Sequence, residues 1–236
     1  MIDNMISNFR KTIIVITTTI LLYSCQKNVD RVNNSDMVDI NGNSYPTTSI
    51  GSQIWAAQNL DVNRYRNGDI IPHITNDSVW ATLTTGAWCY YNNDSTLGKT
   101  YGKLYNHFAV TDPRGLSPEG WRVGSDSDWH ILSNYLGGDS TSGLKLKDMG
   151  TDGCGFKSLS GGGRGDAGAS VLIGELSEYW TSDSVWINNS CTNWIWKCIG
   201  GDATIFSQPM TNASLDKLYL GHTIRFYGLS VRCVKN

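Results

Sequence analysis

Ile50-Gly51-Ser52-Gln53-Ile54-Trp55-Ala56-Ala57-Gln58-Asn59-Leu60 reads as a glycine turn running into a short β-type segment. A Gly-Ser pair between apolar residues is a hairpin signal, and Asn41-Gly42-Asn43 supplies a second one just upstream. With Val38-Asp39-Ile40 and Ser44 to Ile50 they make a hairpin or meander, in which Pro46 places its own segment at an edge. Further along, short strand candidates alternate with turns: Gly86 to Tyr91, Tyr179 to Ser182, Trp194 to Lys197, Ala203 to Phe206 and Tyr227 to Val234. One helix stands out. Ser125 offers an N-cap with Asp128 three residues later, and Trp129, Leu132, Tyr135 and Leu136 form one stripe before Gly137-Gly138 stops it. Gly143 to Lys147 marks a second short helix, and Asp61 to Thr85 lacks a clean period and reads mostly as loop. Tyr101 to Val110 fits a helix by Tyr101, Leu104, Tyr105 and Phe108, and a strand by Leu104, Asn106, Phe108 and Val110. The expected class is α+β, with antiparallel strands, one or two flanking helices and long irregular loops.

The chain has 236 residues, 40% hydrophobic and 17% charged, with 19 Lys+Arg against 21 Asp+Glu. That composition excludes a disordered, collagen-like or heptad-repeat chain. The scattered cations offer no basic face for phosphate neutralisation, so no nucleic-acid partner is expected. Nine Trp, eleven Tyr and 25 Gly describe a loop-rich protein of the secreted kind. Arg10 and Lys11 precede an apolar run from Thr12 to Tyr23, too short to span a bilayer core of about 30 Å as a helix. It reads as a signal-peptide core, with Met1 or Met5 as the start. Leu22-Tyr23-Ser24-Cys25 resembles the bacterial lipoprotein box, which makes residues 1–24 a lipoprotein signal peptide and Cys25 the lipidated first residue of the mature chain. A transmembrane anchor or an ordinary secretory peptide is the alternative. Residues 25–36 are polar and read as a tether, and 37–236 as one domain. Lys27 and Asp30 partly match the acidic surface-export signal that follows the Cys in Bacteroidota lipoproteins, so the expected location is the outer membrane, at the cell surface.

Eight phrases in order resemble the Fibrobacter succinogenes major paralogous domain: Ile50 to Leu60, Trp88 to Asn93, Tyr101 to Asn106, Pro118 to Val123, Ser125 to Leu136, Gly161 to Arg164, Tyr179 to Ser182 and Gly228 to Val234. The resemblance covers the chain from about Val38 to its end and implies a C-type-lectin-like fold that presents ligand through irregular loops. It implies no established chemistry; calcium enters by fold analogy alone, and no cofactor is expected. Relatives carry a Cys where this chain has Ser117, and the resemblance implies that it bridges the C-terminal Cys. Here Cys233 pairs elsewhere or stays free. The relatives' Leu-Pro-Gly-Gly is Leu159-Ser160-Gly161-Gly162.

Five cysteines remain after Cys25, so at least one lacks an intrachain partner. Cys191 and Cys198 enclose six residues and are the candidate disulfide, with Cys154 as an alternative partner for one of them. No metal spacing occurs, and His73, His107, His130 and His222 lie far apart. An oxidase reading would use Cys191, Cys198 and His222, by analogy with formylglycine-generating oxidases of lectin-like fold; a loop-stapling disulfide is the simpler account. Asp126 with Asp128, or Glu175 with Glu178, could suggest glycosidase acids. Asp128 is better explained as a helix N-terminal acid and the glutamates as solvated loop charges. Gly161 to Asp166 lacks the ending of a phosphate loop and reads as a tight turn, with Arg164 paired to a buried carbonyl or acid.

Trp55, Trp121, Trp129 and Trp180 have apolar neighbours and are read as core. Trp186, Trp194 and Trp196 lie among amides and hydroxyls, a pairing used in sugar or protein recognition, although Trp194 and Trp196 could equally fill the core from a strand. By analogy with lectin-like recognition surfaces, the ligand is expected on Asp183 to Asn193 and Ser207 to Phe226, through Trp186, Asn188, Asn189, Asn193, Asn212, Asp216, Tyr219, His222 and Arg225. The expected activity is recognition or adhesion toward a glycan or protein, without catalysis. A fimbrial-tip or structural subunit, and an oxidase or hydrolase on the same fold, are the alternatives.

Overall fold

The structure, a computed structural model, describes residues 36–147, 154–183, 203–209 and 218–236. Two hairpins open it. β1 (Met37–Val38) pairs with β2 (Ser44–Tyr45), and β3 (Thr47–Ile50) pairs with β4 (Gln53–Ala56), both antiparallel. At the second turn Gly51 has φ +61°, and a Cβ there would lie 2.8 Å from the Tyr135 ring, so conformation and space both require glycine. Next come α1 (Asp77–Trp80), β5 (Trp88–Cys89), a 3-10 turn at Tyr91–Asn93, α2 (Ser95–Tyr101), β6 (Leu104–Tyr105), α3 (His107–Val110) and β7 (Trp121–Val123). The chain continues through α4 (Asp126–Tyr135), α5 (Asp139–Leu146), β8 (Gly163–Arg164), β9 (Ser170–Val171), β10 (Tyr179–Trp180), β11 (Ala203–Pro209), β12 (Leu218–Ile224) and β13 (Cys233–Lys235).

The four-stranded sheet runs β3-β4-β13-β7, so the last strand of the chain is inserted between the first hairpin and β7. Val234 faces Trp55 on one side and Arg122 on the other. A three-stranded sheet, β10-β11-β12, stands apart from it, and three two-stranded pairings complete the antiparallel set. α4 forms where local signals agree. Ser125 Oγ accepts from the Asp128 amide at 3.1 Å while Asp128 Oδ2 accepts from the Ser125 amide at 2.9 Å, a reciprocal capping box. Its apolar stripe packs Trp129 against Trp55, with ring centroids 5.0 Å apart, and against Phe156 and Tyr179.

Tyr101 to Val110 is neither one helix nor one strand. Gly102, with φ +75°, ends α2; β6 follows; and Asn106 caps α3 by accepting from the Ala109 amide at 3.1 Å. Trp55, Trp121, Trp129 and Trp180 are all buried, as their neighbours in sequence imply. The second short helix starts earlier than expected, at Asp139, because Gly138 with φ +90° lets the chain reverse directly out of α4. Within Ser207 to Phe226, expected as an irregular segment, the described residues 207–209 and 218–224 are instead strand: β11 and β12 pair over seven residues, and the β-forming Leu218, Tyr219, Leu220, Thr223 and Ile224 account for the strand despite Gly221.

Candidate functional site

The foot of the β11–β12 hairpin is where the sequence candidates and the framework meet. Tyr219 lies opposite Gln208 and His222 opposite Ile205 in the hairpin register, and Arg225 occupies the turn that leaves β12. The turn is tied down from three directions. His107 donates its amide to the Arg225 carbonyl at 3.0 Å, Trp80 donates Nε1 to the Phe226 carbonyl at 2.6 Å, and Gly228 exchanges backbone hydrogen bonds with Arg164. Arg225 is half-buried, with its guanidinium carbon 5.4 Å from the Phe108 ring centroid, and Phe108 in turn meets Phe226 edge-on at 5.8 Å. A planar donor group is thereby held on an aromatic ledge.

Beneath it His107 is fully buried, 4.9 Å from Trp180. Burial pushes the imidazole down to about 4, with the Arg225 charge adding to the effect and a backbone contact with Thr181 opposing it. The ring is therefore neutral at physiological pH and works as packing. Trp180 is fixed by donating Nε1 to the Tyr105 carbonyl at 2.7 Å.

Arg164 behaves as its sequence context implies. It is buried, donating to the carbonyls of Gly168, Ile74 and Thr75 and pairing with Asp77 at 2.6 Å, while stacking 4.6 Å from the Trp80 ring. Gly168, with φ +90°, makes this possible, since a Cβ there would fall 2.5 Å from Asp77 Cα. Asp128 is the capping acid anticipated. Burial alone would raise its carboxyl, but the two Ser125 donors and the Arg122 guanidinium at 2.6 Å outweigh burial and hold it below the ordinary value. Glu178, expected as a solvated loop charge, is buried instead, with Oε2 3.3 Å from where a Gly163 Cβ would sit; it immediately precedes the buried β10 and is carried inside with it. Glu175 is exposed.

A second cluster escaped the sequence reading. His73 stacks flat on Trp88 with centroids 4.0 Å apart, Tyr90 meets both rings edge-on, and the Lys103 ammonium lies 4.7 Å from the Trp88 centroid while bonded to Asp61 at 2.5 Å. Trp88 and Tyr90 share one sequence phrase and Lys103 sits in another, and no local signal brings His73 to them.

Among the described residues, Cys89 and Cys233 are free thiols. Burial raises Cys89 to about 11 and Cys233 to about 12, so neither is an activated thiolate. Cys233 is free, one of the two outcomes that Ser117 left open. Trp186, Asn188, Asn189, Asn193, Asn212 and Asp216 lie outside the described residues, as do the Cys191/Cys198 pairing, the strand expected at Trp194 to Lys197, the signal peptide at 1–24 and the tether as far as Ser35.

An α+β domain of antiparallel sheets, closed by its own C-terminal strand and carrying a clamped hairpin, is the class these observations define. The family model of the Fibrobacter succinogenes major domain matches residues 48–235, and the chain belongs to that family. No curated protein and no solved structure matches it.

Proposed function

We propose that this protein is a lipid-anchored recognition module of the outer-membrane surface, with a C-type-lectin-like fold, that binds a glycan or protein without catalysis and without a metal. The observation that supports this best is the hairpin foot: Arg225 sits in a turn bolted to buried framework through Trp80, His107 and Arg164, at the end of the strand that carries Tyr219 and His222. A rigid base with substitutable segments above it suits recognition, because loops bury little and can carry specificity while the core stays fixed. Thiols raised by burial and a neutral, packed imidazole favour binding over nucleophilic or acid–base chemistry.

The test is a glycan and extracellular-matrix array probed with the purified 37–236 domain and its variants. Arg225→Ala and Tyr219→Ala should abolish binding with little change in melting temperature, whereas Trp180→Ala, which removes a buried ring, should destabilise by about 3–5 kcal/mol. Binding should survive chelation by EDTA. Blank arrays with turnover in a hydrolase screen would instead favour an enzyme. Anchoring is tested separately: Cys25→Ala should move the protein from the membrane fraction to the soluble one.

A further inference from the structure

The first hairpin borders a depression of about 260 Å³ lined by none of the candidate recognition residues. Its walls are aliphatic: Val38, Ile40, Val62, Leu116 and Pro118. Val38 and Ile40 are 54% and 49% exposed, an unfavourable display for two large aliphatic residues one apart on the same hairpin. The rim carries two guanidiniums. Arg66 is a fixed group, donating to the Ser117 carbonyl at 2.9 Å, to Ser117 Oγ at 3.1 Å and to the Trp121 carbonyl at 3.3 Å. Arg64 donates through Nη1 to the Gly68 carbonyl at 2.8 Å and takes part in no ion pair among the described residues.

The acids nearby do not neutralise this rim equally. Asp39 is buried and its oxygens accept from the Asn41 and Asn43 amides, the Asn43 side chain and the Tyr45 hydroxyl, so its charge is already engaged. Glu119 lies 3.9 Å from Arg66 but is 90% exposed, so it occupies the rim loosely and can swing away. We propose that the depression binds an aliphatic anion, its short hydrocarbon chain against Val38, Ile40 and Leu116 and its carboxylate or phosphate on Arg64 and Arg66. The volume falls below the roughly 300–1,000 Å³ of drug-sized sites, which fits a chain of a few carbons. A guanidinium without a carboxylate beside exposed aliphatic groups matches both halves of such a ligand, and a charge-assisted bond from Arg64 gives it orientation. The ligand's source is either a soluble fatty anion or an acidic lipid in a membrane.

The site does not depend on the recognition surface proposed above. The full chain carrying Cys25→Ala, so that no anchor contributes, is titrated with sodium octanoate, with acetate as control, while the backbone amides of Ile40 and Leu116 are followed by NMR. In a second arm it is sedimented with vesicles of phosphatidylglycerol in phosphatidylcholine. Saturable octanoate shifts, absent with acetate, are expected if the source is soluble; vesicle binding that fails on pure phosphatidylcholine is expected if it is lipid. In whichever arm binds, Arg64→Ala should weaken binding about tenfold or more, and Glu119→Gln should tighten it several-fold by removing the competing carboxylate. Both side chains are exposed, so a melting curve unchanged from the parent checks the fold. Absence of binding in both arms, or equal affinity in the Arg64 and Glu119 variants, overturns the proposal.

Discussion

Arg232 and His107 show how single buried polar residues set the conditions under which this fold exists. Arg232 is enclosed without a carboxylate among its bonded partners: it donates to Asn59 Oδ1 at 2.7 Å, to the Ala56, Phe156 and Lys157 carbonyls and to the Tyr179 hydroxyl, with its guanidinium carbon 4.3 Å from the Phe156 ring. Five donors in a planar fork reach acceptors from three separate segments, which no other side chain could do. His107 has the opposite character, a titratable group kept neutral. Its ring is depressed from 6.5 to about 4 by burial, so the unfolded chain binds a proton in that interval that the folded chain refuses. The resulting destabilisation is absent above pH 6.5, grows as pH falls between the two values, and amounts to about 3 kcal/mol below pH 4. Denaturant melts of the wild type should show this decline, and His107→Phe should flatten it over the same window. An unchanged slope in the variant would assign the acid sensitivity to other groups.

At the level of elements, α4 was legible because everything that makes it is local. The cap, the reciprocating acid, the stripe and the double glycine fall within fourteen residues, and the helix runs Asp126–Tyr135 between them. Asp128 also receives Arg122 and Gln53 from neighbouring strands, so the cap doubles as a tie between helix and sheet. Asp128→Asn should cost about 1–2 kcal/mol at neutral pH through loss of the box and the ion pair. Because the folded carboxyl is held below its ordinary value, that cost is present above the unfolded range near pH 4 and shrinks as pH falls through the folded value. Urea titrations of both proteins at pH 7 and pH 3 check it. Tyr101 to Val110 was not legible for the converse reason: three elements of two to seven residues are separated by Gly102 and Asn106, and Asn106 is placed by the Ala87 amide, nineteen residues away. The hairpin was half legible. Its first strand shows in Ala203 to Phe206, while Gly221 interrupts the second. The candidate site divides likewise, since Arg225 could be named from sequence but the contacts that seat it, from Trp80 and His107, span 146 and 118 residues and leave no periodic trace.

For the whole molecule, the decisive feature is that the chain closes on itself. β13 lies between β4 and β7, with Cys233 opposite Val123, Val234 between Trp55 and Arg122, and Lys235 opposite Trp121. Cys233 and Val234 are buried, and the Arg232 beside them binds segments at 56–59 and 156–157. Deleting residues 233–236 would leave two strands of the central sheet facing each other across an empty position, with their ladder groups unpaired and the Trp55 and Trp121 neighbourhoods open to water. Lost main-chain pairing and lost burial both act at the centre, and no other described strand is placed to substitute. A chain ending at Arg232 should therefore lose its cooperative melt and its dispersed amide spectrum altogether, although only four residues are missing. Substitutions in the hairpin foot that leave the framework bonds intact should keep both. A truncated protein that still melts in one sharp transition would mean that the first hairpin and β7 hold together without the terminal strand, and that closure by β13 is not what makes this a single domain.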